Sequence, residues 1–132
     1  YSDFGEVMKK LEAKHEEDLI AEDGFEFLTP RDYCTWLSSV HYQRRNKGDP
    51  YWNNHIVGGY HRGEAFLGSV DMHGNTIQCN DYLVTGLAHY FCNVLLTNAG
   101  KPQTLSEQDA KKVLEDCFRV LFYRDCGMSD RI

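Results

Sequence analysis

The stretch DPYWNNHIVGGYHRGEAFLGSVDMHGN, from Asp49 to Asn75, decides the fold. It predicts a β-meander. His55-Ile56-Val57-Gly58-Gly59-Tyr60 reads as one strand, Arg62-Gly63 as a two-residue turn and Ala65-Phe66-Leu67-Gly68-Ser69-Val70 as the second strand. Met72-His73-Gly74-Asn75 turns the chain again, and Thr76-Ile77-Gln78-Cys79 starts a third strand. Glycines inside strands weaken an isolated sheet, so Gly58, Gly59 and Gly68 are expected where another layer comes close to the backbone. The expectation is a sheet covered on both faces.

Helical signals flank the meander. Residues 3–22 place Phe4, Val7, Met8, Leu11, His15 and Leu19 on one face, with Asp3 and Glu6 spaced as a capping box and Asp23-Gly24 as a stop. A second helix is predicted from Thr29 as N-cap, with Pro30 at its first position and Asp32 closing the box. Its apolar face is Tyr33, Trp36, Leu37 and Val40, and Gly48-Asp49-Pro50 ends it. After Cys79 the pattern returns to helical. The segment 86–98 is apolar nearly all round, which predicts burial between layers or against a partner. Ser106 and Asp109 cap a last helix, over 106–125, with a stripe of Ala110, Val113, Leu114, Cys117 and Leu121 widened by Phe118 and Phe122. The order is helix, helix, three strands, helix, helix, an α+β arrangement in which each helix pair is expected to cover one face of the sheet.

Composition narrows the function. The chain has 132 residues, so it is one domain or part of one. A hydrophobic fraction of 42% is that of a globular chain, and a net charge of −6 argues against nucleic acid as the main partner. No apolar run approaches membrane-span length, and Tyr1-Ser2-Asp3 opens no signal peptide, so a soluble protein with no membrane partner is expected. Cys34, Cys79, Cys92, Cys117 and Cys126 are odd in number and scattered, which predicts free thiols in a reducing compartment.

Each candidate for chemistry has a simpler reading. His15 stands in HEED, but position 19 is Leu19, so the zinc-protease helix pattern fails and a partly buried helix-face histidine is expected. His89 and Cys92 could supply two metal ligands where a structural zinc needs four. The glycines of Gly58–Gly63 lie in a strand and hairpin rather than before a helix, where a phosphate would sit. Arg44, Arg45 and Lys47 offset the negative end of their own helix, with solvated side chains. Arg124-Asp125 is either a salt bridge or part of a site. No cysteine or serine has an activating local pattern. No catalytic, cofactor-binding or metal-binding residue is assigned, and no cofactor is expected.

The string W-N-x-x-x-V-x-G-Y-x-x-G-E-x-F-L-G-x-V-D-x-x-G, from Trp52 to Gly74, resembles β-type subunits of the proteasome core particle. The likeness runs from Tyr1-Ser2-Asp3-Phe4 through Tyr42-Gln43-Arg44-Arg45 and Leu83-Val84-Thr85-Gly86 to Val120-Leu121-Phe122-Tyr123-Arg124-Asp125. Within the family, the Y-x-D-F start and the P-x-W-N entry to the meander are similar to a non-catalytic member, the one at the seventh position of the β-ring. The resemblance implies a four-layer αββα sandwich of the N-terminal-nucleophile hydrolase type. Over 1–132 that domain would be partial, without the N-terminal nucleophile strands and the C-terminal strands and helix. Active members attack peptide bonds with an N-terminal threonine, supported by a lysine and an aspartate from early strands, all of which would precede Tyr1. The family's second site aspartate falls on Asp125. Two serines of the catalytic members fall on Leu87 and Met128, whose side chains accept no hydrogen bond of that kind.

The resemblance therefore implies a non-catalytic structural subunit serving ubiquitin-dependent protein degradation in cytoplasm and nucleus. Its partners would be other α- and β-type subunits in a heteromeric ring. Trp36, Trp52, Tyr90, Phe118 and Phe122 are candidate anchors, either of the core or of interfaces. A second reading is a catalytic threonine-protease subunit whose nucleophile segment lies outside this stretch. A third is a free-standing α/β binding module using Arg44, Arg45 and Lys47.

Overall fold

A computed structural model describes residues 2–21 and 28–125. The elements follow in the predicted order. Helix α1 spans Ser2–Ala21 and α2 Pro30–Asn46; strands β1 (His55–His61), β2 (Glu64–Val70) and β3 (Thr76–Gln78) come next. Helix α3 spans Ala88–Ala99, a short 3-10 turn spans Pro102–Thr104, and α4 spans Glu107–Arg124. The chain forms two units, Tyr1–Gln78 and Cys79–Ile132.

In the first unit the strands make an antiparallel sheet in the order β1-β2-β3. His55 pairs with Val70 and His61 with Glu64, so only Arg62 and Gly63 connect β1 to β2. Both take positive φ, 49° and 90°, the geometry that lets a two-residue hairpin follow the twist of its strands. Strand alternation sends His55, Val57, Gly59, Phe66, Gly68 and Val70 to one face, and α2 packs there. Thr29 fixes the start of α2 as the sequence predicts. Its hydroxyl accepts from the Asp32 N–H at 3.3 Å, and its own N–H donates to Asp32 Oδ2 at 2.8 Å.

Two of the three strand glycines are contact points. A Cβ on Gly59 would stand 2.9 Å from Pro30 Cβ, and one on Gly68 would stand 3.2 Å from Cys34 Sγ and 2.9 Å from the Phe66 ring. Gly58 has nothing within 4 Å, because it faces the other way. That other face carries Ile56, Tyr60 and Ile77, all exposed, so within this unit the sheet is covered on one face rather than both. The turn after β2 is clamped to α2 by Ser38, whose hydroxyl donates to the Gly74 carbonyl at 2.6 Å.

The core of this unit joins Val7, Cys34, Leu37, Tyr51 and Val70, with Met8, Leu11, Trp36 and Val40 against it. The fully buried residues of α2 are Cys34, Leu37 and His41; of the predicted Tyr33, Trp36, Leu37 and Val40 face, Leu37 is among them and Trp36 and Val40 pack partly buried against the core. Asp3 does not cap α1: the helix already includes Ser2, and Asp3 Oδ2 instead accepts from the Trp52 N–H at 3.2 Å. The predicted stop at Asp23-Gly24 lies outside the described residues.

In the second unit Cys92 and Leu96 of α3 meet Cys117 and Leu121 of α4, with Phe91, Leu95 and Val113 filling in. Ser106 caps α4 as predicted, accepting from the Asp109 N–H at 3.2 Å. Tyr82 donates to the Gly100 carbonyl and Gln103 to that of Asn80, each at 2.7 Å, tying the segment before α3 to the connection after it. Helix α3 is not buried all round. One α4 face can cover only one side of it, and Tyr90 and Val94 stay exposed.

Candidate functional site

One grouping of titratable side chains is one that the sequence did not single out. It lies where α1, the end of α2 and the segment leading into β1 meet. Tyr51 is fully buried, and its hydroxyl accepts from Lys10 Nζ at 2.6 Å and donates to Glu6 Oε1 at 2.5 Å. Lys10 and Glu6 are also 3.0 Å apart on α1. The Tyr51 bond, then the Lys10 bond, hold the Glu6 carboxyl below its usual range; the Tyr51 and Glu6 bonds raise Lys10. The Arg44 guanidinium lies 4.5 Å from the centre of the Tyr51 ring and 2.5 Å from Asp49 Oδ2.

Beside Tyr51 stand two histidines. His41 is 0% exposed and His55 7%. Their ring centres are 5.1 Å apart and nearly perpendicular, and His41 meets the edge of Tyr51 at 5.7 Å. Phe4 of α1 stacks on His55 at 6.0 Å. Both ring nitrogens of His41 and Nε2 of His55 lack a hydrogen-bond partner of normal geometry. Burial lowers the pKa of both rings; the Met72 backbone and Asp71 oppose this at His41, and the neighbouring His41 adds to it at His55. Next to the cluster, α1, α2 and β1 frame an open groove of about 690 Å³ lined by Met8, Leu11, Tyr33, Leu37, Ile56 and Val57 among others.

The residues weighed from the sequence are placed apart. His15 is exposed rather than partly buried, because its ring points off α1 to bond the Tyr33 hydroxyl, 2.8 Å from Nδ1. His89 is exposed against the Tyr90 ring, while Cys92 is buried with its Sγ 3.7 Å from the Cys117 carbonyl, so the two do not converge. Cys34, Cys79, Cys92 and Cys117 are free thiols, and burial beside Cys92 pushes Cys117 up to about 11. Cys126 and Met128 lie outside the described residues. Arg44 is not a solvated cation, since it is held by Asp49 and Tyr51; Arg45 lies over the Tyr42 ring at 5.8 Å. Leu87 stands at the N-cap of α3 with no side-chain hydrogen bond. Asp125 ends α4, its N–H donating to the Leu121 carbonyl at 2.8 Å. Among the described residues no group of three or more His, Cys, Asp or Glu side chains is placed to hold a metal ion, and no helix is long and apolar enough to cross a membrane.

The five aromatic anchors separate. Trp36 packs on the core of the first unit, whereas Trp52 and Tyr90 are 75% and 78% exposed, and Phe118 and Phe122 are open as well. On α4, Leu114, Phe118 and Phe122 recur every fourth residue and form an exposed apolar row. Surfaces of this kind mark an α+β chain built to bury area against something else.

Comparison with known proteins defines that class. The chain belongs to the proteasome subunit family, which it matches over residues 1–132. It is 36% identical to "Proteasome subunit beta type-4" of Dictyostelium discoideum over 133 residues, covering 100% of this chain and 51% of that protein. It is 36% identical to the beta type-4 subunit of Arabidopsis thaliana over 124 residues, 94% of this chain and 49% of the relative. With "Proteasome subunit beta type-7" of Saccharomyces cerevisiae it shares 33% over 129 residues, 93% of this chain and 48% of the relative. The chain thus spans about half the length of the relatives it matches.

Proposed function

We propose that the chain is the central part of a non-catalytic β subunit of the proteasome core particle, of the beta type-4 kind, and that its role is architectural. The observation that carries this is similarity to beta type-4 subunits over 94% or more of this chain, at 36% identity in two distant organisms. The complete domain in this reading is a four-layer αββα sandwich. Its nucleophile strands and its last strands and helix are contributed by sequence outside these 132 residues. The uncovered sheet face with Ile56, Tyr60 and Ile77 supports that, because a second sheet would bury it. The partners are the other α- and β-type subunits of a heteromeric ring in cytoplasm and nucleus, serving ubiquitin-dependent degradation. Trp52, Tyr90, Phe118 and Phe122 are the side chains offered to them.

Absence of catalysis in this reading rests on the position where catalytic relatives carry serine at the start of the third helix. Here it is Leu87, whose side chain makes no capping hydrogen bond and cannot support a threonine nucleophile. The test is to treat the purified native particle with a threonine-directed electrophile and to measure the intact mass of each subunit. The subunit carrying this chain is expected to stay unmodified while catalytic subunits gain one adduct. An adduct on this subunit's N-terminal residue would overturn the non-catalytic assignment.

A further inference from the structure

We propose that the His41–His55 pair is a proton-operated latch: with both rings neutral it holds the start of β1 and α1 against α2, and protonating either ring releases that contact. The geometry gives an imidazolium few partners, although His55 borders the groove between α1, α2 and β1. The two rings are buried edge to face with centres 5.1 Å apart, and three of their four nitrogens lack a hydrogen-bond partner of normal geometry, the Met72 backbone being the one polar backbone group that favours a charged His41. A proton added to His41 would put a charge in an unsolvated site, where it costs several kcal/mol unless it is paired.

The surrounding charges do not supply that pairing. On α1, Glu6 is engaged by Tyr51 and Lys10, and on α2 Arg44 is a second cation, itself paired with Asp49. After β2, Asp71 is the anion that favours a charged His41. Its carboxylate already accepts from the His73 and Asn75 N–H groups and from Asn75 Nδ2, each at 2.8 Å. The β1 side offers only the other histidine and the stacked Phe4 ring.

The direction follows from linkage. Both rings are held below their ordinary value in the folded unit, so the unfolded chain binds more protons. Stability from the pair is complete above about pH 6.5 and is lost as pH falls below it toward the lowered folded values. Glu6, Asp32 and Asp71 are held below their ordinary values, so their own loss comes at more acid pH.

The experiment is hydrogen exchange of the complete subunit in urea at pH 7.5, 6.5 and 5.5, corrected for the intrinsic pH dependence of exchange and read by mass spectrometry on peptides from α2 and β1. The wild-type unfolding constant is expected to rise by up to about tenfold per ring per pH unit below pH 6.5, and the His41→Phe/His55→Phe variant to lose most of that slope. An equal slope in both chains would overturn the latch. Should the double variant not fold, proton NMR of the wild-type rings decides. Two rings that stay neutral until the unit unfolds support the proposal, and two that titrate near pH 6.5 in a folded unit refute it.

Discussion

Gly58 and Gly59 are neighbours in β1, yet alanine at the two positions should act in opposite directions. At Gly59 the new Cβ would lie 2.9 Å from Pro30 Cβ and closer still to Cγ. Pro30 is the first residue of α2, whose start is locked by the Thr29–Asp32 capping box, and a change of ring pucker shifts Cγ but leaves Cβ where the backbone holds it. Overpacking of this kind costs about 1–3 kcal/mol, against about 0.5–1 kcal/mol regained by replacing a strand glycine. Gly59→Ala is therefore expected to destabilise the unit by about 1–2 kcal/mol. At Gly58 nothing lies within 4 Å, so only the entropic gain remains, about 0.5 kcal/mol of stabilisation. With a urea slope of about 1–2 kcal/mol per molar, the two midpoints should separate by about 1–2 M. Tryptophan fluorescence reads this unit alone, because Trp36 and Trp52 are the chain's two tryptophans. Midpoints that coincide, or a more stable Gly59→Ala, would refute the close approach of α2 to β1.

Two further outcomes test the local account. Thr29→Ala should lower the urea midpoint by the equivalent of about 1 kcal/mol and Thr29→Ser should restore it, since the hydroxyl satisfies a helix-end N–H. Brief alkylation at pH 7.5, read by peptide mass spectrometry, should modify Cys79 first among the described cysteines. Cys34, Cys92 and Cys117 should react only in denaturant, because all three are buried and Cys117 is pushed up to about 11.

What the sequence disclosed depended on how local the deciding physics was. The Thr29 and Ser106 caps, the Arg62-Gly63 turn and the order of elements each follow from a few adjacent residues, and all are present. The His41–His55–Tyr51 cluster was missed because three separate elements build it. The available signal was spacing: Cys34, Leu37 and His41 stand at i, i+3 and i+7, so His41 shares the buried stripe, but a histidine there reads as polar. Trp52 is the candidate anchor in the sequence, yet in an extended segment neighbours point opposite ways, and Tyr51 is the one buried. The apolar run of α3 predicted burial between layers or against a partner. Its exposed Tyr90 and Val94 show how much surface the unit leaves for other contacts.

The central claim, membership of a heteromeric ring, is tested most directly by native particle size. Cell extract would be sedimented on a density gradient and the chain followed with an antibody to residues 107–124, the span of α4. The account predicts that it co-migrates with peptidase activity in one very large particle. Migration as a small protein, free of that activity, would contradict it.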